Sequence, residues 1–284
     1  MRMKRALLAL GVGMLAPTAC APTIPTSTSS GLRPSLFGSN IVPKPASTML
    51  EHSDPARKPR GWFRKGRVKG SLIYVAAGNQ VVIFPERGNN PAPVGAITDQ
   101  VSNAYGLFVD GRRDLYVAND STITAYRPGS VHPWIDYLDA RRPLYVVVDH
   151  SGRLYAANQD GSVSEFAPRQ QEADRWLQTP GMEADGINLD AANDLYVAYR
   201  GKSGNGSIEE FPPNSTKGRV LGMHLVQPQA LQLDHSGNIL VVETGTRQAV
   251  DVFPPGSKSP SQIVRVTLGI TQIALRESEK YLYF

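Results

Sequence analysis

Aspartates that could act as acids, bases or cation ligands recur along this sequence at a spacing of about forty residues. Each closes a short apolar run and precedes a turn segment: Asp110, Asp149, Asp190 and Asp234. A carboxylate at the start of a turn accepts hydrogen bonds from backbone N–H groups two residues on, and a following glycine tolerates positive φ. Because the same residue type returns in every copy, we predict that these aspartates hold β-hairpins and take no part in catalysis.

The histidines offer no catalytic arrangement. One lies near the N-terminus, two lie at predicted hairpin tips and two lie near predicted outer strands: His52, His150, His235, His132 and His224. A Ser-His-Asp nucleophile or a multi-histidine transition-metal site needs imidazoles that converge on one place. The sequence therefore disfavours both kinds of site.

The elements that carry these residues form a repeat. The motif Leu-Tyr-Val, or a close variant of it, is centred at Tyr74, Tyr116, Tyr155, Tyr196, Leu240 and Tyr283. An aromatic residue closely followed by proline comes about ten residues after each of the first five copies. Repeats of roughly 40 to 50 residues made of short strands are typical of propeller blades. The sequence therefore predicts an all-β propeller of four-stranded antiparallel blades.

One blade can be followed from the copy at 104–140. We predict an inner strand at 104–110, a second strand at 114–119, a third at 122–127 and an outer fourth at 134–138. Two tryptophans, Trp134 and Trp176, lie near outer strands, where we expect them to pack the blades.

The two ends of the repeat region decide the number of blades. The chain opens with strands two to four of a blade, within 72–97, and finishes with a first strand at 270–275 and the start of a second at 281–284. This order favours a six-bladed design with an incomplete last blade. The alternative is a five-bladed closed ring in which 270–275 joins 72–97 and covers the open edge.

The N-terminal part indicates export. Basic residues precede an apolar run at 6–16 that is too short to span a bilayer, so residues 1–20 are predicted to be a signal peptide. Cys20 resembles the lipidated cysteine of a bacterial lipobox, and ordinary secretion is the alternative. Residues 21–69 are predicted to be a disordered Pro/Ser/Thr-rich tether followed by a basic linker, and 70–284 to be the propeller. We expect an exported protein, either a membrane-anchored lipoprotein or a secreted or periplasmic one.

The basic character of the chain belongs to its N-terminal part. The net charge is +5, and the signal and the stretch 57–69 together carry more positive charge than that, so the repeat region is net acidic. Basic residues around Trp62 and Phe63 could bind nucleic acid or a membrane surface, but we predict that these aromatics pack on the propeller. The sequence thus predicts no specific nucleic-acid partner. We also expect a monomer.

The repeats resemble those of NHL-repeat and gluconolactonase-like six-bladed propellers. The chain as a whole resembles the exported bacterial lipoprotein type of this family. The resemblance of the repeats covers about 70–284 and rests on stretches such as 109–119, 233–241 and 250–253. It implies the fold and, in gluconolactonase-type enzymes, calcium or another divalent cation held at the channel mouth by carboxylate and amide oxygens. The candidate metal ligands that this resemblance indicates are Asp185, Asn158 and Glu243.

Loops that join consecutive blades and loops that join second to third strands share one face of a propeller, around the channel. Candidate binding residues there are Asn119, Arg200 and Arg247, beside a glycine-rich loop at 201–206. Further polar residues of these loops are Asn79, Asn103, Asp120, Arg141, Arg142, Asp160, Glu183, Gln227 and Gln229.

Two functions are compatible with these features. The sequence favours a non-catalytic binding or scaffold module for a protein or small-molecule ligand, without a cofactor. The alternative is a divalent-metal-dependent gluconolactonase-type hydrolase or lyase with its site at the channel mouth.

Overall fold

The computed structural model describes residues 61–63, 71–87, 91–245, 248–266, 270–275 and 282–283. All regular elements in these residues are β-strands, which confirms the all-β prediction. No helix long and apolar enough to cross a membrane is found among them. The predicted signal peptide, Cys20 and the tether up to residue 60 lie outside the described residues.

Five four-stranded antiparallel sheets follow one another along the chain, and each is one blade. Blade 1 contains β1 (Trp62–Phe63), β2 (Leu72–Ala76), β3 (Val81–Pro85) and β4 (Gly95–Ile97). Blade 2 contains β5 (Leu107–Val109), β6 (Leu115–Ala118), β7 (Thr122–Tyr126) and β8 (Pro133–Leu138). Blade 3 contains β9 (Pro143–Val148), β10 (Leu154–Asn158), β11 (Ser162–Phe166) and β12 (Arg175–Gln178).

Blades 4 and 5 repeat the order of blades 2 and 3, whereas the strands of blade 1 are arranged as β1-β4-β3-β2. Blade 4 contains β13 (Glu183–Leu189), β14 (Leu195–Arg200), β15 (Asn205–Phe211) and β16 (Arg219–Val220), with β17 (Leu225–Val226) also paired to β15. Blade 5 contains β18 (Pro228–Leu233), β19 (Ile239–Glu243), β20 (Ala249–Phe253) and β21 (Gln262–Arg265). The first strands contact one another, β5 with β9, β9 with β13 and β13 with β18, so they line the axis. The predicted strand order within a blade is confirmed.

The N-terminal end of the repeat region differs from the prediction. Trp62 and Phe63 form a strand on the outer edge of blade 1, paired with Ala96 and Gly95, so the propeller begins before residue 70. The pairing covers an edge that would otherwise present free backbone groups. Phe63 packs against the core as predicted, whereas Trp62 is 46% exposed. Gly95 makes room for the ring, because a Cβ there would lie 2.7 Å from the side chain of Phe63.

The number of complete blades is that of the five-bladed alternative. The expected joining of 270–275 to blade 1 is not observed: β22 (Ala274–Leu275) pairs with β23 (Leu282–Tyr283) in a separate two-stranded sheet. These two strands are the first and second strands of the incomplete blade that the sequence indicated. Among the described residues β2 pairs with β3 alone, so no described backbone ladder links blade 1 to this sheet.

The hydrophobic core is divided into layers between neighbouring blades. One layer joins Tyr116 and Tyr137 of blade 2 to Val146, Leu154 and Phe166 of blade 3. Alternate residues of the same strands face the other way, and the next layer joins blade 3 to blade 4 in the same manner. The middle strands are therefore apolar on both faces, because a blade buries each face against a neighbour.

The recurrent aspartates hold the hairpins between first and second strands, as predicted. Asp110 Oδ1 accepts hydrogen bonds from the N–H groups of Arg112 and Asp114, at 2.9 and 2.8 Å. Asp149, Asp190 and Asp234 make the equivalent bonds two and four residues on. Gly152 and Gly237 have φ of 91° and 76°, as the turn requires. These carboxylates are therefore committed to the fold.

Two glycines, one just before the first strand of blade 2 and one within the first strand of blade 4, allow neighbouring blades to approach each other near the axis. A Cβ on Gly106 of blade 2 would lie 2.5 Å from the carbonyl oxygen of Leu144 in blade 3. A Cβ on Gly186 of blade 4 would lie 2.8 Å from the backbone nitrogen of Leu231 in blade 5. Glycine in a strand commonly marks such a close backbone approach.

We predict that Gly106→Ala destabilises the propeller by about 1–3 kcal/mol, because the added methyl group meets backbone that cannot rotate away. Gly111→Ala is the matched control, since a Cβ there has nothing within 4 Å. The free energies of unfolding from urea titrations give the comparison. Equal stability of the two variants would contradict the close approach.

Candidate binding face

The loops between consecutive blades and those between second and third strands lie on one side of the propeller, which we call the link face. The two sets of loops are joined by backbone hydrogen bonds that repeat from blade to blade. These bonds run from Asp120 N to Ser102 O (3.2 Å), from Gln159 N to Arg142 O (3.1 Å) and from Thr244 N to Gln227 O (3.2 Å). The predicted sharing of one face by both sets is confirmed.

Tyr105 is the centre of a polar network on the link face. The guanidinium of Arg142 lies 5.3 Å from its ring centre and donates a hydrogen bond to its hydroxyl. Arg142 also donates to Gln159 Oε1 at 2.8 Å and lies 3.8 Å from Asp120 Oδ1. The amide of Asn103 donates to the hydroxyl of Tyr105 at 2.5 Å and to Asp120 at 3.0 Å. Residues from blades 2 and 3 are thus fixed to one another.

Arg141 forms a second group beside this network. It donates to Asp160 Oδ2 at 2.8 Å, and its guanidinium lies 5.7 Å from the ring centre of Trp176, which is 50% exposed. Burial opposes ionisation of Asp160, but hydrogen bonds from Ser162 and Arg141 outweigh it and lower its pKa. The expectation that Trp176 packs the blade is wrong for this copy of the repeat, whereas Trp134 packs against the core between blades 2 and 3.

Arg200 forms ion pairs with two acidic residues of β13. It ends β14, and its guanidinium forms ion pairs with Glu183 and, at 3.3 Å, with Asp185 Oδ2. The ladder between β13 and β14 shifts register between Ala184 and Gly186, so Asp185 is the extra residue of a β-bulge. Bulges commonly re-aim a side chain next to a functional site.

The Asp185 carboxyl has the most unusual electrostatics of this face. The residue is 4% exposed, and burial raises the pKa of its carboxyl to about 7. Burial dominates even though the guanidinium of Arg200 lies 3.3 Å from Oδ2, and burial also lowers the pKa of that guanidinium. Burial, and secondarily the charge of Asp185, raises the pKa of Tyr145, whose hydroxyl donates to Thr271 O at 3.0 Å.

Three of the predicted site residues hydrogen-bond to other groups of the propeller. The Asn119 side chain accepts from Ser102 N at 3.0 Å and donates to Thr124 Oγ1 at 3.1 Å. Asn158 donates to the hydroxyls of Ser162 and Ser164. Glu243 accepts from Val226 N at 2.9 Å. All three are buried, and their side chains bond to turns and links, whereas Asn158 Oδ1 has no hydrogen-bond partner among the described residues.

The three predicted metal ligands lie on strands of three different blades. Asp185 lies in a first strand of blade 4, whereas Asn158 and Glu243 end second strands of blades 3 and 5. In the part of the chain that the structure describes, no group of three or more His, Cys, Asp or Glu side chains is placed to hold a metal ion. Arg247 and Cys20 lie outside the described residues, so the binding and lipidation roles assigned to them remain predictions.

Tyr105 and its network were not found from the sequence. The only signal is that Tyr105 is aromatic. At the same position, five residues before the hairpin aspartate, the other copies have Leu144, Asp185 or Gln229. Its partners Asn103, Asp120 and Arg142 were predicted to lie on this face, but their mutual contacts depend on how blades 2 and 3 meet.

Comparisons with known proteins identify the class of fold. No protein-family model and no curated protein sequence matches the chain. Among 1189 matching solved chains, one from the crystal structure of a nidogen/laminin complex aligns with a TM-score of 0.60 and 16% identity, over 72% of this chain and 82% of that chain. At this identity the similarity establishes the fold alone, and the chain is a β-propeller of four-stranded antiparallel blades.

The pKa of Asp185 predicts a pH-dependent stability. It lies above the unfolded value of about 3.9, so the folded state binds the proton more tightly and stability falls as pH rises between these values. Relative to wild type, Asp185→Asn should therefore gain about 2–4 kcal/mol between acidic and weakly alkaline pH. Urea unfolding at a series of pH values measures this.

Asp160→Asn is the control of opposite sign. The pKa of Asp160 is lowered, so its ionised form supports the fold, and this variant should lose stability relative to wild type as pH rises. A pH-independent difference between Asp185→Asn and wild type would show that folding does not shift the pKa of this carboxyl.

Proposed function

We propose that this chain is an exported, non-catalytic binding module of the NHL type that takes a protein partner on the link face. The observation that carries the proposal is the set of residues exposed or partly exposed there: Tyr105, Arg141, Arg142, Trp176 and Met182. Aromatic residues, Met and Arg are the types enriched where proteins bind one another, and Tyr, Trp and Arg dominate the binding energy. A contact surface of this composition suits a protein partner.

The ion pairs of the link face support the same function. Each side chain of the pairs Arg142–Asp120 and Arg141–Asp160 is 44–47% exposed. The pair Arg200–Glu183 is partly exposed. Each pair fixes a guanidinium in position before a partner arrives, which lowers the entropy lost on binding. The mixture of both charge signs favours selection of a complementary partner surface.

The remaining parts of the proposal concern location and partners. Residues 1–20 would direct export, Cys20 would carry a lipid anchor unless the protein is released, and 21–69 would hold the propeller away from the membrane. The solved neighbour comes from a nidogen/laminin complex, which supports a protein partner by analogy of fold. We further propose a monomer that needs no cofactor and binds no specific nucleic acid.

Site-specific photo-cross-linking tests the proposed face. A photoreactive residue placed at Met182, which is 51% exposed, should form a discrete cross-linked product with a second protein in cells that express the chain. The matched control is Val109, which is 42% exposed beside the hairpin on the other side of blade 2. Double substitution Arg141→Glu and Arg142→Glu should abolish the product at Met182. Equal cross-linking from both positions, or none from Met182, would contradict the proposal.

A second candidate function is a gluconolactonase-type hydrolase or lyase. It is favoured by Asp185, because a buried carboxyl with a pKa of about 7 beside Tyr145 suits general acid–base catalysis at neutral pH. Calorimetric titration with calcium separates the two candidates. For the binding module we expect no saturable binding. Micromolar binding that is lost in Asp185→Asn and Glu243→Gln but kept in Asp160→Asn would favour the enzyme.

A further inference from the structure

A cavity of about 640 Å³ opens on the side of the propeller opposite the link face. Its rim is formed by the hairpins between first and second strands in blades 2, 3 and 4, which carry Asp110, Asp149 and Asp190. We call this side the hairpin face. Sites for small ligands commonly have volumes of roughly 300–1,000 Å³. The size is therefore that of a ligand site, and the proposed function does not depend on it.

One wall of the cavity is aromatic. The rings of Phe108 and Tyr116 have centres 6.5 Å apart, and those of Tyr116 and Tyr137 are also 6.5 Å apart. Trp134 lies in the same wall, with the guanidinium of Arg127 4.1 Å from its ring centre. Such a wall offers flat apolar surfaces of fixed orientation, because Tyr137 also packs edge-on against Phe166 at 5.4 Å.

Two hydroxyls in this wall have no hydrogen-bond partner among the described residues. Tyr116 and Tyr137 are 4% and 2% exposed and both line the cavity, yet neither phenol bonds to a described side chain or backbone group. Both hydroxyl oxygens are accessible from the open cavity, so a ligand hydroxyl can bond to them there in place of water. Burial raises the pKa of both phenols, so they stay protonated and can donate as well as accept.

The charges of the cavity argue against an ionic ligand. Arg127 is already paired with the buried carboxylate of Asp114 at 2.6 Å. Arg112 and Arg169 also line the cavity beside the rim carboxylates. Its positive and negative side chains therefore nearly balance, and a ligand of either charge would meet repulsion as well as attraction. An entirely apolar ligand would leave both tyrosine hydroxyls unpaired, so the chemistry favours a neutral, hydroxylated ligand with one flat apolar side.

We infer that the hairpin-face cavity binds a neutral sugar of one or two pyranose rings, with its apolar side on the aromatic wall and its hydroxyls bonded to Tyr116 and Tyr137. The pair of Asp114 and Arg127 and the free oxygens of the rim carboxylates supply further polar contacts at the edge. This site is separate from the link face and lies on the opposite side of the same blades.

Calorimetric titration of the full chain with glucose, galactose, N-acetylglucosamine, maltose and cellobiose tests the inference. At least one sugar should bind saturably in the millimolar range or tighter. Tyr137→Phe and Tyr116→Phe keep the ring and remove only an unpartnered hydroxyl, so each should fold normally and weaken binding about tenfold. Tyr155→Phe is the matched control, because Tyr155 holds the position of Tyr116 in blade 3 and does not line this cavity.

Several outcomes would overturn the inference. These are the absence of binding by every sugar of the panel, equal affinity of the wild type and both cavity variants, or the same loss of affinity in Tyr155→Phe. Saturable binding of inorganic phosphate that depends on Tyr137 would overturn it as well, since it would show that the cavity selects an anion. A thermal melt of each variant separates a lost contact from a lost fold.

Discussion

Packing of one blade against the next is the constraint on which this molecule depends. A four-stranded sheet is apolar on both faces here, so it can be buried only when a neighbour covers each side. Each described core layer accordingly draws its side chains from two consecutive blades, or from the last blade and Ile270. The close approach at Gly106 and Gly186 shows how little space remains near the axis. Residues that recur in every blade are therefore committed to these layers and to the hairpins.

Residues that could act on another molecule are consequently those that differ between blades. On the link face they are charged and aromatic, and they form ion pairs that cross from one blade to the next, as Arg142 does with Asp120. These ion pairs hold the guanidinium groups of the face in fixed positions. Asp185 differs from these residues, since a β-bulge and burial together keep its carboxyl largely away from water. The hairpin face is regular in its backbone, yet Tyr116 and Tyr137 give it a cavity with unpaired hydroxyls.

The fold was predictable to a considerable extent, and the site was not. The strand order of a blade, the role of Asp110 in its turn and the sharing of one face by two sets of loops follow from local patterns and are confirmed. The placement of Trp62 and Phe63 on the outer edge of blade 1 could not be read locally, because their partner strand is about thirty residues away. Asn119 and Asn158 were predicted to face a ligand or a metal, and their hydrogen bonds to Ser102 N and to the Ser162 hydroxyl could not be read from the sequence.

The sequence by itself determined the repeating unit, because hydrophobic alternation and turn residues act over a few positions and are written into each copy. Tertiary structure alone decided which idiosyncratic residues meet. Tyr105 contacts Arg142 only because two blades bring distant segments together. The pKa of Asp185 and the cavity between three hairpins likewise depend on burial by other blades, which no local pattern encodes. The distinction has a physical origin: strands and turns are set by neighbours in the chain, whereas a site is set by neighbours in space.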